Sequence, residues 1–525
     1  MYLIMDMGTS NMRLWLNDGN DIIDSDKYPI GAATGKNKGK NILFSEAKNA
    51  IDNMLERNAI SSSDVECIMA SGMLGSESGL CEVEHLTMPK NVYELADSLF
   101  ETVIPEISDI PFVIVRGLKK VSGNRLCDIM RGEETETFGL SDYISGKDCV
   151  LVLPGTHNKA IRISKDGCIT DFITMMSGEM ISCAINNTIL SSCVSFDFEL
   201  DAEYALKGAS AAKENGINSA LFSVRVMSKN GVGTNELTSF LCGSIISEDI
   251  ELIKRFAAGT PIFVAGRENL KKVYLLLLGE NECAELPDEA AASAVCNGLK
   301  YIYELKRNRE MRAQTVKAIE ENKVIAILRR PDEDTLIKGM RELYRAGVRL
   351  AEITFDRSGK YDKEYTARLI TKLNEEFDGK MLIGAGTVMS EEDVMIAYKA
   401  GARFMISPNA DERVIRLTRN LGLVSIPAAM TPTEIAFVCE CGADFVKLFP
   451  ANQFSSRYLK DVTAPLAGVK LLAVGGVNAE TAKEYMNAGF SGIGVGSSLY
   501  RADLVREGKF DELYESARAI VESVL

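Results

Sequence analysis

The sequence predicts an α/β chain of two domains, the second closing as a barrel of eight parallel strands. Three features predict it: a strand–helix alternation from residue 324 onward, a repeated strand–turn–strand signature before residue 165, and a break in charge between the two regions. The alternation is carried by the apolar runs VIAIL (324–328), LAEITF (350–355), MLIGAGT (381–387), FMISPN (404–409), LVSIPAA (423–429), FVKLFP (445–450), KLLAVGG (470–476) and GIGVGSSL (492–499). Near-continuous apolar strands suit a parallel sheet covered on both faces. Between them lie amphipathic stretches of helical period, such as 332–346 and 361–377. Eight strands, each followed by a helix, is the count of a (β/α)8 barrel. A doubly wound sheet accounts less well for eight evenly spaced units in so short a span.

The first region has its own internal echo. Segments 3-LIMDMGTSNMRLWL-16 and 150-VLVLPGTHNKAIRI-163 each read as an apolar strand, then G-T-x-N, then a second alternating strand. A glycine turn followed by small hydroxyl residues lets backbone N–H groups approach phosphate oxygens closely. Two such hairpins suggest a duplicated domain closing on a nucleotide; the competing reading is two ordinary hairpins with turn-favoured residues. Charge separates the regions. Residues 1–310 carry 30 Lys+Arg against 44 Asp+Glu, a net of −14, and residues 311–525 carry 29 against 30, a net of −1. The charged helical stretch KYIYELKRNREMRAQ (300–314) divides them, so residues 1–308 and 312–525 are expected as the two domains, with no Gly/Pro/Ser linker.

Composition narrows the function classes. With 46% hydrophobic and 25% charged residues, the 525-residue chain is not disordered, collagenous or fibrous in type. Its longest apolar runs, such as VYLLLLG (273–279), fall far short of the ~20 residues that span a bilayer. The start MYLIMDMGTS holds Asp6 within its apolar stretch and has no basic leader, so a signal peptide is not expected. An acidic chain without a Lys/Arg stripe argues against nucleic-acid binding. Twelve cysteines without a CxxC pair read as reduced thiols of a cytoplasmic protein. The only histidines are His85 and His157, so a His-rich metal site is not available to the second domain.

Several motifs are set aside on spacing. GAATGKN (31–37) has the wrong spacing for a P-loop and an Asn where Ser/Thr must bind Mg2+. GIGVG (492–496) and GAG (384–386) are not G-x-G-x-x-G, and Cys439 with Cys441 reads as a helix core feature. Lys447 carries more information. It lies amid apolar residues of a predicted inner strand, where desolvation lowers an amine's pKa and favours the nucleophilic form. A strand lysine that merely reaches the barrel mouth is the competing reading, and position alone leaves both open. Glu352 is its carboxylate counterpart near the end of another strand; Lys and Glu at one barrel end make a Schiff-base site with a general acid/base.

On the residues AILR (326–329), AEIT (351–354), GAGTV (384–388), ISPN (406–409), IPAA (426–429), VKLFPA (446–451), AVGG (473–476) and GVGSSLYRA (494–502), the second domain resembles the metal-independent 2-keto-3-deoxy-6-phosphogluconate/6-phosphogalactonate aldolases over residues 317–525. The resemblance implies that Lys447 forms an imine with the keto acid and Glu352 shuttles protons. It implies that Arg329, Thr387, Pro408 and Phe449 surround the keto-acid end, and that Gly475, Gly476 and Ser497 bind phosphate in the loops after strands seven and eight. Members with the pattern E-x-T-L-R carry Arg four residues after the Glu; here Asp356 stands there, followed by Arg357, which leaves the sugar series open. A trimer through this domain is implied by the same resemblance.

The first domain resembles 2-keto-3-deoxygalactonate kinases over about residues 1–305, on DMGTSNMRLWL (6–16), SGMLGS (71–76), DIMRGEETE (128–136), LPGTHNK (153–159) and SGEM (177–180). That family has the actin-like, hexokinase-type (duplicated ribonuclease H-like) fold, in agreement with the echo above. The resemblance implies ATP and Mg2+ as cofactors. Asp6 would organise the ion through water, Gly8, Thr9, Ser10, Asn11, Gly155, Thr156 and Lys159 would face the phosphates, and Gly266 in PIFVAGREN (261–269) the adenosine. Phosphoryl transfer needs a cation and a carboxylate that accepts the hydroxyl proton. Arg131 supplies the first; Asp128, Glu133 and Glu134 stay open for the second, with Asp128 favoured and Glu133 and Glu134 also expected at the substrate.

The expectation is therefore a bifunctional enzyme of galactonate breakdown, phosphorylating 2-keto-3-deoxygalactonate at O6 and cleaving the product to pyruvate and glyceraldehyde 3-phosphate. Three alternatives stay open: the same chemistries on the gluconate epimer, a non-catalytic sugar-sensing module in place of the kinase, and a binding barrel in place of the aldolase.

Overall fold

The computed structural model describes residues 1–524 apart from residues 20, 124, 267, 280, 330, 455–457, 459, 460, 463 and 467. The chain divides into two compact units, Met1–Lys306 and Arg307–Leu525. The division falls inside one continuous helix, Asp288–Asn322.

The first unit repeats one sheet plan. In the first sheet, Tyr2–Met7 pairs antiparallel with Met12–Asn17, which pairs antiparallel with Ile22–Tyr28. On its other side Tyr2–Met7 runs parallel to Cys67–Gly72 and so on to Ser108–Ile114. In the second sheet Cys149–Leu153, Asn158–Ile163 and Ile169–Met175 form the same antiparallel triplet, and Cys149–Leu153 is followed sideways by the parallel strands Ile262–Val264 and Cys283–Glu285. The pattern follows from burial. Leu3, Ile4, Met5 and Met7 are wholly buried in a central strand covered on both faces, whereas Ile22–Tyr28, at the sheet edge, alternates between exposed and half-buried positions. Ile4 and Met69 of the first sheet and Leu151 and Phe172 of the second share one apolar cluster.

In the second unit all eight expected strands form, as Val324–Leu328, Leu350–Thr354, Leu382–Gly386, Phe404–Ile406, Val424–Ile426, Val446–Leu448, Leu471–Val474 and Gly492–Val495. They are parallel and ordered round a barrel, the first pairing with both the second and the eighth. The remaining gap, between strands five and six, is bridged by Ala428 and Lys447, where the Lys447 N–H donates to the Pro427 carbonyl at 2.9 Å and the Ala429 N–H to the Lys447 carbonyl at 3.0 Å. Inward residues Ile325, Leu350, Phe404, Val424, Phe445 and Leu472 fill the interior together with Ile319 from the preceding helix. Gly384 makes room for one of them: a Cβ there would stand 2.3 Å from the Phe404 ring.

Candidate active sites

Asp6 sits near the end of the central strand of the first unit, and hairpin register places Arg13 directly opposite it. The turn between is pinned by the Gly8 N–H donating to the Asn11 carbonyl at 2.8 Å, which leaves Thr9 and Ser10 exposed at the tip. The GAATGKN segment is the buttress of this turn. The N–H groups of Ala32 and Ala33 donate to the carbonyls of Gly8 and Thr9 at 3.2 and 2.9 Å, and a Cβ on Gly31 would lie 2.5 Å from the Thr9 carbonyl oxygen.

The second hairpin is held differently. The Gly155 N–H donates to Asn158 Oδ1 at 2.8 Å, while Asn158 Nδ2 donates to the Tyr274 hydroxyl at 2.6 Å and to Asp249 at 3.1 Å. Asn158 is thus turned into the core as a brace, so Gly155 and Thr156 face the cavity and Asn158 does not. Asp249 also accepts from the Ser177 hydroxyl at 2.5 Å, which ties the start of helix Ser177–Asn187 to the same turn. Gly178 packs so tightly there that a Cβ would meet the Gly155 carbonyl oxygen at 1.9 Å.

Three cavities adjoin these turns. One of ≈ 660 Å³ runs from Asp6, Ser10 and Thr156 to the apolar wall of Ile181, Phe196 and Leu270. A second of ≈ 530 Å³ keeps Asp6, Arg13 and Thr156 and adds Glu133, Glu136 and Gly266. A third of ≈ 630 Å³ shares Met73, Arg131, Glu133 and His157 with the second and contains Asp128 and His85. Arg267, beside Gly266 in the 261–269 segment, lies outside the described residues.

The carboxylates are not equivalent. Burial pushes Asp6 up to about 6, against the nearby Arg13 charge, with Glu133 adding to the rise. Burial, then the charge of Glu133, pushes Glu134 and Glu136 each up to about 8. Glu134, expected at the substrate, is instead fully buried and accepts the Gly132 N–H with both oxygens at 2.9 Å, capping helix Glu133–Gly139. Asp128 accepts from the Thr174 N–H at 2.9 Å and the Thr174 hydroxyl at 2.7 Å. Glu133 lines both the second and third cavities. Lys159, expected at the phosphates, is 4% exposed and donates to Thr174 Oγ1 at 2.7 Å and the Ile129 carbonyl at 3.1 Å, with Glu133 Oε1 at 3.9 Å. It therefore organises the carboxylates of the third cavity.

In the second unit Lys447 is 7% exposed, its Nζ 4.7 Å from the centroid of the Phe449 ring. Burial lowers its pKa, Glu352 opposes that, and Arg329 adds to it. Glu352 is 2% exposed; burial pushes it up to about 7 against the charges of Lys447 and Arg329. Its Oε2 is buried with no hydrogen-bond partner among the described residues. Gly386 admits this carboxylate, since a Cβ there would lie 2.6 Å from Glu352 Cδ. Arg329, Thr387 and Pro408 follow the first, third and fourth strands, Gly475 and Gly476 the seventh, and Ser497 the eighth, so all lie at the C-terminal end of the barrel. Gly475 and Gly476 have φ of 99° and 71°, in the left-handed region that favours glycine. Arg357 is turned elsewhere: its guanidinium donates to the Thr387 carbonyl at 2.9 Å and to Asp393. Asp356 caps its own loop through the N–H groups of Ser358, Lys360 and Tyr361.

Arg13, Glu136 and Gly386 were not singled out from the sequence. Counting register across the G-T-x-N turn would have found Arg13, which must face Asp6; the other two carry no local signal.

The family described as 2-keto-3-deoxy-galactonokinase matches residues 6–302, and the family described as KDPG and KHG aldolase matches residues 316–516. The chain is 33% identical over 180 residues to the 2-dehydro-3-deoxy-6-phosphogalactonate aldolase of Escherichia coli (strain K12), covering 34% of this chain and 85% of that one. It is 29% identical over 256 residues to a Rhizobium meliloti (strain 1021) protein named "Probable 2-dehydro-3-deoxygalactonokinase DgoK1", covering 47% and 79%. It is 26% identical over 263 residues to the 2-dehydro-3-deoxygalactonokinase of Escherichia coli (strain K12), covering 49% and 82%.

Proposed function

Given that the chain belongs to the 2-keto-3-deoxy-galactonokinase family over its first unit and to the KDPG and KHG aldolase family over its second, we propose that it is a bifunctional enzyme of galactonate breakdown. The first unit phosphorylates 2-dehydro-3-deoxygalactonate at O6 with ATP, and the second cleaves the resulting 6-phosphate to pyruvate and glyceraldehyde 3-phosphate. The observation that carries the reading is that each product-and-substrate pair matches: the acid one half would make is the acid the other would cleave.

In the first unit the two hairpins receive the ATP phosphates, and the apolar wall of Ile181, Phe196 and Leu270 receives the adenine. Arg13, across from Asp6 and lining both adjoining cavities, balances phosphoryl charge. The donor set fits Mg2+, a hard cation that takes carboxylate oxygen and water. Among the described residues no three acidic, His or Cys side chains converge as a ready-made cage, so Asp6 would hold the ion through water beside the nucleotide's own oxygens. When bound, Mg2+ neutralises charge on the phosphates. Of the candidate bases, Glu133 is better placed than Asp128: it lines both the phosphate-side and the acid-side cavity, whereas both Asp128 oxygens already accept from Thr174.

In the second unit the neutral Lys447 amine attacks the C2 carbonyl, and loss of water gives the imine. Glu352 takes the C4 hydroxyl proton as the C3–C4 bond breaks, its electron pair passing into an enamine and freeing glyceraldehyde 3-phosphate. A proton returned to C3 and hydrolysis of the imine release pyruvate and restore the amine. The N–H groups of Gly475 and Gly476, with Ser497, hold the phosphate, and no metal is needed.

A cytoplasmic setting suits twelve cysteines of which none forms a disulfide among the described residues. A trimer through the barrel rests on resemblance and is read by sedimentation equilibrium. The test of the whole is a coupled assay on purified protein with ATP and each C4-epimeric keto-deoxy acid, following pyruvate. Pyruvate from the galacto epimer is expected; a clear preference of the first step for the gluco epimer would replace this reading with its gluconate counterpart.

A further inference from the structure

We propose that Arg131, held in place by Val83 and His85, is the receptor for the carboxylate of the acid substrate in the first unit, and that it makes this unit selective for sugar acids over neutral sugars. The proposal rests on the kinase reading above.

The guanidinium follows strand Arg125–Met130. Its Nη2 donates to the Val83 carbonyl at 2.7 Å and lies 3.2 Å from His85 Nδ1. Both partners are neutral. Burial, then the charges of Arg131 and Lys119, lowers the His85 ring to about 4, so at neutral pH Nδ1 offers a lone pair and no charge. Among the described residues Arg131 makes no ion pair, and Nη1 is buried without a hydrogen-bond partner. Glu134 and Glu82 act on this half-buried charge only through space, not as ion-pair partners, and an unpaired buried donor adds to the cost. An anionic ligand on the cavity side would match the charge directly, and a guanidinium suits a carboxylate.

Position selects which anion. Arg131 lines both the ≈ 530 Å³ cavity that holds Asp6 and the ≈ 630 Å³ cavity that holds Asp128 and His85. A carboxylate bound here leaves the rest of a short chain free to reach Glu133 and the phosphate hairpins. Other walls of the larger cavity carry Glu77 and Glu84, which disfavour an anion elsewhere. The other cations are engaged or differently placed. Lys159 is committed to Thr174 and Ile129, Lys120 pairs with Asp171, and Arg13 does not line this cavity. Lys119 lines it and is the rival receptor. Two glycines make the fixture fit: a Cβ on Gly75 would stand 2.7 Å from Arg131 Nη1, and one on Gly117 2.7 Å from the His85 ring.

The experiment measures kinase kinetics of the full chain with 2-keto-3-deoxygalactonate and with its C1 amide, at saturating ATP. Wild type is expected to prefer the acid. In Arg131→Gln, KM for the acid should rise about 10–150-fold, the range of a lost charge-assisted hydrogen bond, while KM for ATP stays within twofold and the acid-over-amide preference collapses. Gly75→Ala keeps the charge but displaces Nη1, and should raise KM for the acid with kcat retained; it decides the matter if Arg131→Gln does not fold. His85→Phe should act like a weaker Gly75→Ala, and His85→Gln, which restores an acceptor, should recover part of the loss. Lys119→Gln should leave the preference intact. Retained preference in Arg131→Gln, an equal rise in KM for ATP, or collapse in Lys119→Gln instead would overturn the inference while leaving the kinase reading standing. No phosphorylation of either epimeric acid by wild type would sink both together.

Discussion

Replacing Glu352 by Gln should weaken catalysis and strengthen the fold at alkaline pH, two effects with one cause. Glu352 is 2% exposed, and burial raises it from an ordinary 4.5 to about 7. A group raised in the folded state contributes stability that is complete below its unfolded value and lost as pH climbs through its folded value. At 1.36 kcal/mol per pH unit, the ionised carboxylate therefore costs the barrel on the order of 3 kcal/mol above pH 7 relative to pH 4.5. Glutamine has nothing to ionise. At pH 8.5 the barrel's transition in urea should then shift to higher denaturant by an amount approaching that figure, and at pH 4.5 the two proteins should unfold alike. Turnover should fall about 10²–10⁴-fold, the usual contribution of a positioned acid/base. Imine formation should survive. Removing the Glu352 charge takes away what opposes the desolvation of Lys447, so the amine becomes more readily neutral. Borohydride with pyruvate should still label Lys447, as read by intact mass and peptide mapping. Equal stabilities at pH 8.5, or near-wild-type pyruvate release by Glu352→Gln, would refute the assignment of the raised carboxylate as the proton shuttle.

Three further outcomes separate the two halves. Chelation of divalent cations should abolish ATP-dependent phosphorylation and leave cleavage of the 6-phosphate unchanged; loss of both would contradict a metal-free barrel. Glu133→Gln should lower the phosphorylation kcat about 10²–10⁴-fold, and Asp128→Asn should act more on KM for the acid, because Asp128 is already bonded to Thr174; the reverse order would restore Asp128 as the base. Gly178→Ala forces a Cβ onto the Gly155 carbonyl, so KM for ATP should rise at least tenfold while pyruvate release from the 6-phosphate is untouched; unchanged ATP kinetics would remove the second hairpin from the phosphate site.

What the sequence made legible depended on how local the physics was. Eight barrel strands could be read because each is a short, doubly buried apolar run, and burial on both faces leaves no polar alternation to confuse the pattern. The duplicated sheet was legible through its two turns, since G-T-x-N constrains backbone shape within a few residues. Lys447 and Glu352 stood out because a charge inside an apolar strand is conspicuous wherever it occurs. The interior of the DIMRGEETE run was not legible. Its carboxylates differ only in which neighbours the tertiary fold brings: the Gly132 N–H turns Glu134 into a helix cap, and Thr174, from a strand 46 residues away, turns Asp128 into a bonded acceptor. The surroundings of Lys159 and Asn158 were not legible for the same reason. Both lie in a phosphate-type turn, yet partners from elsewhere in the chain draw them inward. The kinase–barrel joint was read as a charged helical stretch, and its extent, Asp288–Asn322, could not be, because charge patterning ends no helix without a cap or a Pro.

The pH response of the coupled reaction follows from the two raised carboxylates that must be ionised to work. Asp6 has to carry charge to organise the cation, and Glu352 has to carry charge to take the C4 proton. Burial raises both, Asp6 from 3.8 to about 6 against the charge of Arg13, and Glu352 from 4.5 to about 7 against the charges of Lys447 and Arg329. As pH falls from 8, the lyase should therefore lose its working form before the kinase does. Near pH 6.5 phosphorylation should continue while cleavage lags, so the 6-phosphate accumulates ahead of pyruvate in a single-vessel assay followed by phosphorus NMR. Acidifying Glu352→Gln should leave its residual cleavage rate flat across that interval. If the 6-phosphate never accumulates and the two rates fall together, a shared ionisation must control both steps, and the independent roles of Asp6 and Glu352 would have to be abandoned.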